Sequence, residues 1–168
     1  VNFGIVYGMS DWGLADTLHI QPIEAAIFIE KYFDIYPEIK AYLDKIVIDA
    51  TNCGYTKTLY GRRRYIPELS SPNHALKMFG ERTSKNAPIQ GTAADVIKMA
   101  MVKVSARMKE ENLKSLMVAQ VHDELIIDTV VDEIEIVKNI LKEEMENVVK
   151  LKVQLIVDVE TGNNWDMK

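Results

Sequence analysis

The sequence predicts an α+β fold, with a helical first part and an antiparallel sheet packed with long helices in the second. Three observations predict it. Residues 37–50 place apolar side chains at helical spacing. Two short apolar runs, Leu116–Ala119 and Leu125–Ile127, flank a polar break. Residues 152–160 alternate strictly between apolar and polar until Ile156. The division expected from these patterns is a helical part over residues 1–72 and a sheet-bearing part over 73–168.

In chain order, Asn2 to Tyr7 is compatible with a helix despite its glycines. There Phe3 and Tyr7 would be i, i+4 neighbours beside a smooth stripe of Gly4 and Gly8. Pro22 suits a first helical turn, with Ile23, Ala26, Ile27, Phe33 and Tyr36 as apolar surface. Pro37 begins another helix, whose stripe is Ile39, Tyr42, Leu43, Ile46, Val47 and Ala50, and Gly54 stands where a glycine cap belongs. Residues 55–59 and 64–67 read as a hairpin turned at Tyr60-Gly61.

Ser71-Pro72 suits a helix start, and Pro88 should bend or break that helix before Gln90. Thr92 with Asp95 resembles a capping box for a long helix to about Asn112, buried along Ala94, Ile97, Met101, Val104 and Met108. Asp132 is the expected cap of a helix with Ile134, Val137, Leu141, Met145 and Val148 inward. A final strand is expected over 152–160, with Val153, Leu155, Val157 and Val159 on one face.

Composition bounds the function. The 168 residues are 48% hydrophobic and 27% charged, ordinary for a globular protein. No run of about 20 apolar residues is present to span a membrane. One cysteine, Cys53, excludes an internal disulfide and a cysteine-cluster metal site. The net charge of −5 argues against nucleic acid, but its distribution does not. Lys57, Arg62, Arg63, Arg64, Lys77, Arg82 and Lys85 face only Glu68 and Glu81 over residues 55–85, a local balance of +5. Such a strip can bind phosphates while acids elsewhere set the total; a solvated basic face is the plainer reading.

Candidate site residues fall in three places. Gln120-Val121-His122-Asp123-Glu124 puts carboxylates at a stiff hairpin tip, as a Mg²⁺ ligand requires, although a solvated turn has the same composition. Arg82, Asn86 and Gln90 recur every four residues, suiting phosphate and groove-edge contacts or an exposed polar face. Phe3 and Tyr7 beside bare glycines would suit a stacked base, or simple helix packing.

Together these segments resemble the family A DNA polymerases. Val1-Asn2-Phe3-Gly4-Ile5-Val6-Tyr7-Gly8 is similar to the second half of motif B, and Gln120–Glu124 to motif C. Gly54–Tyr65 and Asn86–Asp95 are also characteristic, and the motifs stand in family order. The resemblance implies template-directed DNA synthesis, with a primer 3′-hydroxyl attacking a dNTP at a two-metal Mg²⁺ site. It implies that residues 1–72 are most of the fingers and 73–168 the C-terminal part of the palm. Asp123 would bind metal and Glu124 support it. His122 would meet the primer terminus, and Arg82, Asn86 and Gln90 the template strand and minor groove. Phe3 would face the incoming nucleotide, Tyr7 and Gly8 the templating base, and Arg64 a template phosphate.

Primer–template DNA and a dNTP are the implied partners of a monomer in the bacterial cytoplasm, associated with the nucleoid. Motif A and the Lys and Arg preceding motif B are missing from the sequence, whose first residues read as if cut inside a helix. The expectation is a fragment with half a metal site, inactive alone. A non-catalytic DNA-binding module is the alternative. A metal hydrolase using His122, Asp123 and Glu124 is weaker, since His19 and His74 sit in no metal motif.

Overall fold

The computed structural model describes residues 2–165, with side chains from residue 4 onward. The architecture is α+β, with helices joined by two small antiparallel sheets. The chain forms two compact units, Val1–Thr92 and Ala93–Lys168. The division between these units lies at Thr92–Ala93, inside a helix.

In the first unit, α1 (Asn2–Val6) stops one residue before Tyr7. Gly8, at φ +81°, reverses the chain. Its N–H donates to the Ile5 carbonyl at 3.0 Å and that of Met9 to the Gly4 carbonyl at 2.8 Å. This pair of bonds is a Schellman cap, which favours glycine at the left-handed position. The expected helical stripe of Gly4 and Gly8 therefore does not form: Gly8 is a cap, and the Met9 side chain covers Gly4. α2 (Asp11–Leu18) is capped by Ser10, whose hydroxyl accepts the Gly13 N–H.

α3 (Pro22–Ile35) opens on a capping box between Gln21 and Glu24. It buries Ala25 against Leu14 and Ala15, with Ile29 packed beside them. Ile23, Ile27 and Tyr36 stay exposed, contrary to the apolar face expected. α4 (Pro37–Cys53) buries Leu43 and Ala50 and ends at Gly54, φ +80°. Ala50 packs with Ile66 and Leu69 below a hairpin of β1 (Tyr55–Lys57) and β2 (Arg63–Tyr65).

α5 runs unbroken from His74 to Glu110. Asn73 starts it, its side-chain oxygen accepting from Ala75 and Leu76, rather than Ser71-Pro72. Pro88 lies inside and does not end the helix, and Thr92 starts no second one. The Thr92 hydroxyl instead donates to the Pro88 carbonyl. In helix interiors threonine makes such back-bonds to i−4.

In the second unit α5 ends in another Schellman cap, with Asn112 at φ 56°. β3 (Leu116–Val121) and β4 (Glu124–Asp128) pair antiparallel, with an irregularity between Met117 and Ala119. α6 (Ile134–Glu146) covers them. Val104, Met108, Val137, Ile140 and Leu141 form the core, joined at its edge by Met117, Leu125, Ile127 and Val159. Asp132 is not the cap of α6; it lies in a 3₁₀ turn, Val131–Glu133. Glu133 is the residue that binds, taking the N–H groups of Lys114 and Ser115 and the Ser115 hydroxyl.

Residues 152–160 form no strand. Leu155, Val157 and Val159 are still half-buried and their neighbours exposed, so the alternation is real from Leu155 onward, whereas Val153, expected on the same face, is exposed. No described strand pairs with them, and the Val157 N–H donates to the Glu146 carboxylate instead.

Candidate nucleic-acid interface

In the first unit the β1–β2 hairpin leans on α5 through three fixed points. The Leu59 N–H donates to the Thr92 hydroxyl at 2.9 Å. Arg62 donates from Nη2 to the Gly91 carbonyl at 2.8 Å. A Cβ on Gly91 would stand 2.7 Å from Thr58 Cγ2, so only glycine admits this approach. The hairpin tip follows from Gly61, at φ +83°, whose N–H donates to the Thr58 carbonyl.

A small cleft of about 90 Å³ results, lined by Thr56, Thr58, Arg62, Arg64, Gln90 and Gly91 among others. Arg64 is exposed on β2, and Arg82 and Gln90 are exposed on α5 with Asn86 half-buried between them. Asn86 Oδ1 and the buried Thr56 hydroxyl have no hydrogen-bond partner among the described residues. Polar atoms left so are unusual and call for a ligand or a solvent molecule. Gly8 faces the same helix: a Cβ there would lie 3.5 Å from both Arg82 Cγ and Lys85 Cδ. Tyr7 beside it is half-buried. Gly8 thus adjoins the Arg82 end of the polar stripe. The expected role of Phe3 lies outside the described side chains.

In the second unit β3 and β4 are joined by a two-residue turn, with Val121 opposite Glu124. His122 holds φ +53°, a left-handed conformation that glycine takes more readily. Gln120 donates from Nε2 to the His122 carbonyl at 2.6 Å. The turn is short, paired at its base and tied by a side chain, and His122, Asp123 and Glu124 are all exposed on it. A groove of about 1020 Å³ runs alongside, lined by Asp123, Leu125, Ile127, Leu141, Val157 and Val159 among others.

The Asp123 carboxylate supplies hard oxygen donors that suit Mg²⁺, which takes one or two carboxylates and keeps several waters. No three His, Cys, Asp or Glu side chains among the described residues stand close enough together to hold a metal.

Sequence reasoning missed Gly91 and Thr92 as the seat of the hairpin, because their partners lie some thirty residues earlier. A single glycine-threonine pair after Gln90 carries no periodic signal that would have shown it.

The family model of DNA polymerase family A matches residues 1–167. DNA polymerase I of Caldicellulosiruptor bescii is 53% identical over 98% of this chain, and that of Geobacillus stearothermophilus 50% identical over 98%. The chain spans 19% of the length of each. A solved structure of the POL domain of Pol1 from M. smegmatis, in complex with DNA primer-template and dNTP, superposes with a TM-score of 0.94. It is 42% identical, covering 99% of this chain and 29% of that one. No helix among the described residues is long and apolar enough to cross a membrane.

Proposed function

Since the chain belongs to DNA polymerase family A, we propose that it forms part of an enzyme that copies a DNA template by transferring nucleotides from dNTPs to a primer 3′-hydroxyl. The observation that carries this reading is the exposed Asp123 carboxylate on a two-residue turn with a tied backbone. A ligand on such a support keeps its position when a charged substrate arrives.

In this reading residues 1–72 belong to the fingers and 73–168 to the palm. Asp123 holds Mg²⁺ and Glu124, at the start of β4, supports that position. Two bound Mg²⁺ ions would stabilise the attacking and leaving oxygens of the phosphoryl transfer. His122 meets the primer end from the same turn. Arg82, Asn86 and Gln90 track the template strand and minor groove. Arg64 takes a template phosphate. Tyr7 and Gly8 sit by the templating base, and Phe3 by the incoming nucleotide. The protein acts as a monomer in the bacterial cytoplasm, on nucleoid DNA.

One carboxylate does not hold two cations about 4 Å apart, so the 168-residue chain alone is expected to leave a primer unextended. In the full-length protein, Asp123→Ala is expected to abolish Mg²⁺-dependent extension and to leave primer–template affinity within a few-fold. Near-normal turnover would make Asp123 a mere turn residue with no part in holding the metal.

A further inference from the structure

Among the cations of the basic strip that the proposed site does not use, Lys57 and Arg63 lie on the hairpin strands themselves. The strand register pairs Tyr55 with Tyr65 and Lys57 with Arg63, and Thr56 with Arg64 between them. Alternation on a strand puts the first four side chains on one face and Thr56 and Arg64 on the other. Thr56 is buried, so the Tyr55–Tyr65 face is the outward one.

On that face the two rings meet edge to face, centroids 5.6 Å apart. Arg63 Cζ stands 4.7 Å and Lys57 Nζ 5.5 Å from the Tyr55 ring centre. Cross-strand aromatic pairing explains why Tyr55 and Tyr65 touch, since a two-stranded hairpin is weak alone. It does not explain why Tyr65 remains 68% exposed. Nor does it explain why neither Lys57 nor Arg63 is ion-paired with a carboxylate among the described residues.

We propose that this outward face of the hairpin binds single-stranded DNA, a base stacking on Tyr65 and the adjoining phosphates meeting Lys57 and Arg63. An open ring beside two cations matches the alternation of flat base and phosphate along a strand. A duplex offers the phosphates but keeps its base faces covered, so the exposed ring selects the unpaired strand. The inference does not rest on the polymerase reading; a binding module would carry the same face.

The test is binding of a labelled oligothymidylate and of a blunt duplex to the full-length protein. Tyr65→Ala is expected to weaken oligothymidylate binding at least about fivefold, the loss of one base stack, and Tyr65→Phe to retain it. Blunt-duplex affinity should stay within about twofold for both. Lys57→Ala with Arg63→Ala should lower the salt slope for the oligothymidylate by about 1.4. Tyr65→Leu guards against misfolding, because it keeps an apolar cross-strand contact without a ring. With an unchanged urea midpoint, it must lose affinity as Tyr65→Ala does. Wild-type oligothymidylate affinity in Tyr65→Leu, or an equal loss on the blunt duplex, overturns the proposal.

Discussion

The Glu133 carboxylate accepts the Ser115 hydroxyl at 2.6 Å and the Ser115 N–H at 2.9 Å. The same hydroxyl accepts the Val130 N–H, so one serine joins the start of β3 to the end of β4. The Lys114 N–H bond, then the Ser115 hydroxyl, lower the Glu133 pKa below the usual carboxylate value. A carboxylate with a depressed folded pKa adds stability above its unfolded pKa, and that stability is lost as pH falls through the folded one. Glu133→Gln is therefore expected to lower the melting temperature at neutral pH. The gap between the two proteins should close in acid below about 4.3, the ordinary glutamate range. A constant gap from neutral to strongly acidic pH would mean that the charge of Glu133 contributes nothing.

Gly8 supplies a second prediction. An added Cβ would meet Arg82 and Lys85 at ordinary van der Waals distance, so space is not the constraint. Backbone conformation is, at φ +81°. Gly8→Ala is expected to cost about 1–2 kcal/mol in urea unfolding. Gly8→Asn should cost less, because asparagine tolerates the left-handed region. Equal losses from the two would point to crowding against Arg82 rather than strain.

Arg82 and Arg64 provide the third. If each meets a phosphate, Arg82→Ala and Arg64→Ala should each reduce the salt slope of primer–template binding by about one unit, roughly uniformly across sequences. Unchanged slopes for both would leave the strip a solvated surface.

Much of the fold was legible because the burying faces are narrow. α4 and α6 bury Leu43, Ala50, Val137 and Leu141 on the stripes that spacing marks, and α6 adds Ile140 beside its stripe. α3 was harder, since Ile23, Ala25, Ala26, Ile27, Phe28 and Ile29 make it apolar nearly all round. Which side turns inward was decided by the small Ala25 seating against Leu14 and Ala15, a tertiary choice. Pro88 misled for a related reason. Its local cost is one lost helical bond, and the hairpin docked on Gly91 and Thr92 holds the following turn in place. The choice of Glu133 over Asp132 as anchor needs the β3 loop to be in position, which no local pattern states.

At the site, the turn at His122-Asp123 was readable from two apolar runs closing on a polar break. What could not be read was the unusual φ of His122, because glycine would have signalled it and histidine does not. The convergence of the hairpin with Gln90 and Gly91 depends on contacts distant in sequence.

The alternating stretch that ends near Glu160 has one more consequence. Pairing normally fixes which residue of a strand faces which way, because a slip of one position inverts every side chain. Here no ladder sets that register. What keeps Val159 inward and Ile156, 81% exposed, outward is the Val157 N–H held by Glu146 and the seat of Val159 on the core. Phase along this stretch is thus set by one anchor and one apolar plug. Its orientation is an attribute of Glu146 and Val159 as much as of the valines that supply the rhythm.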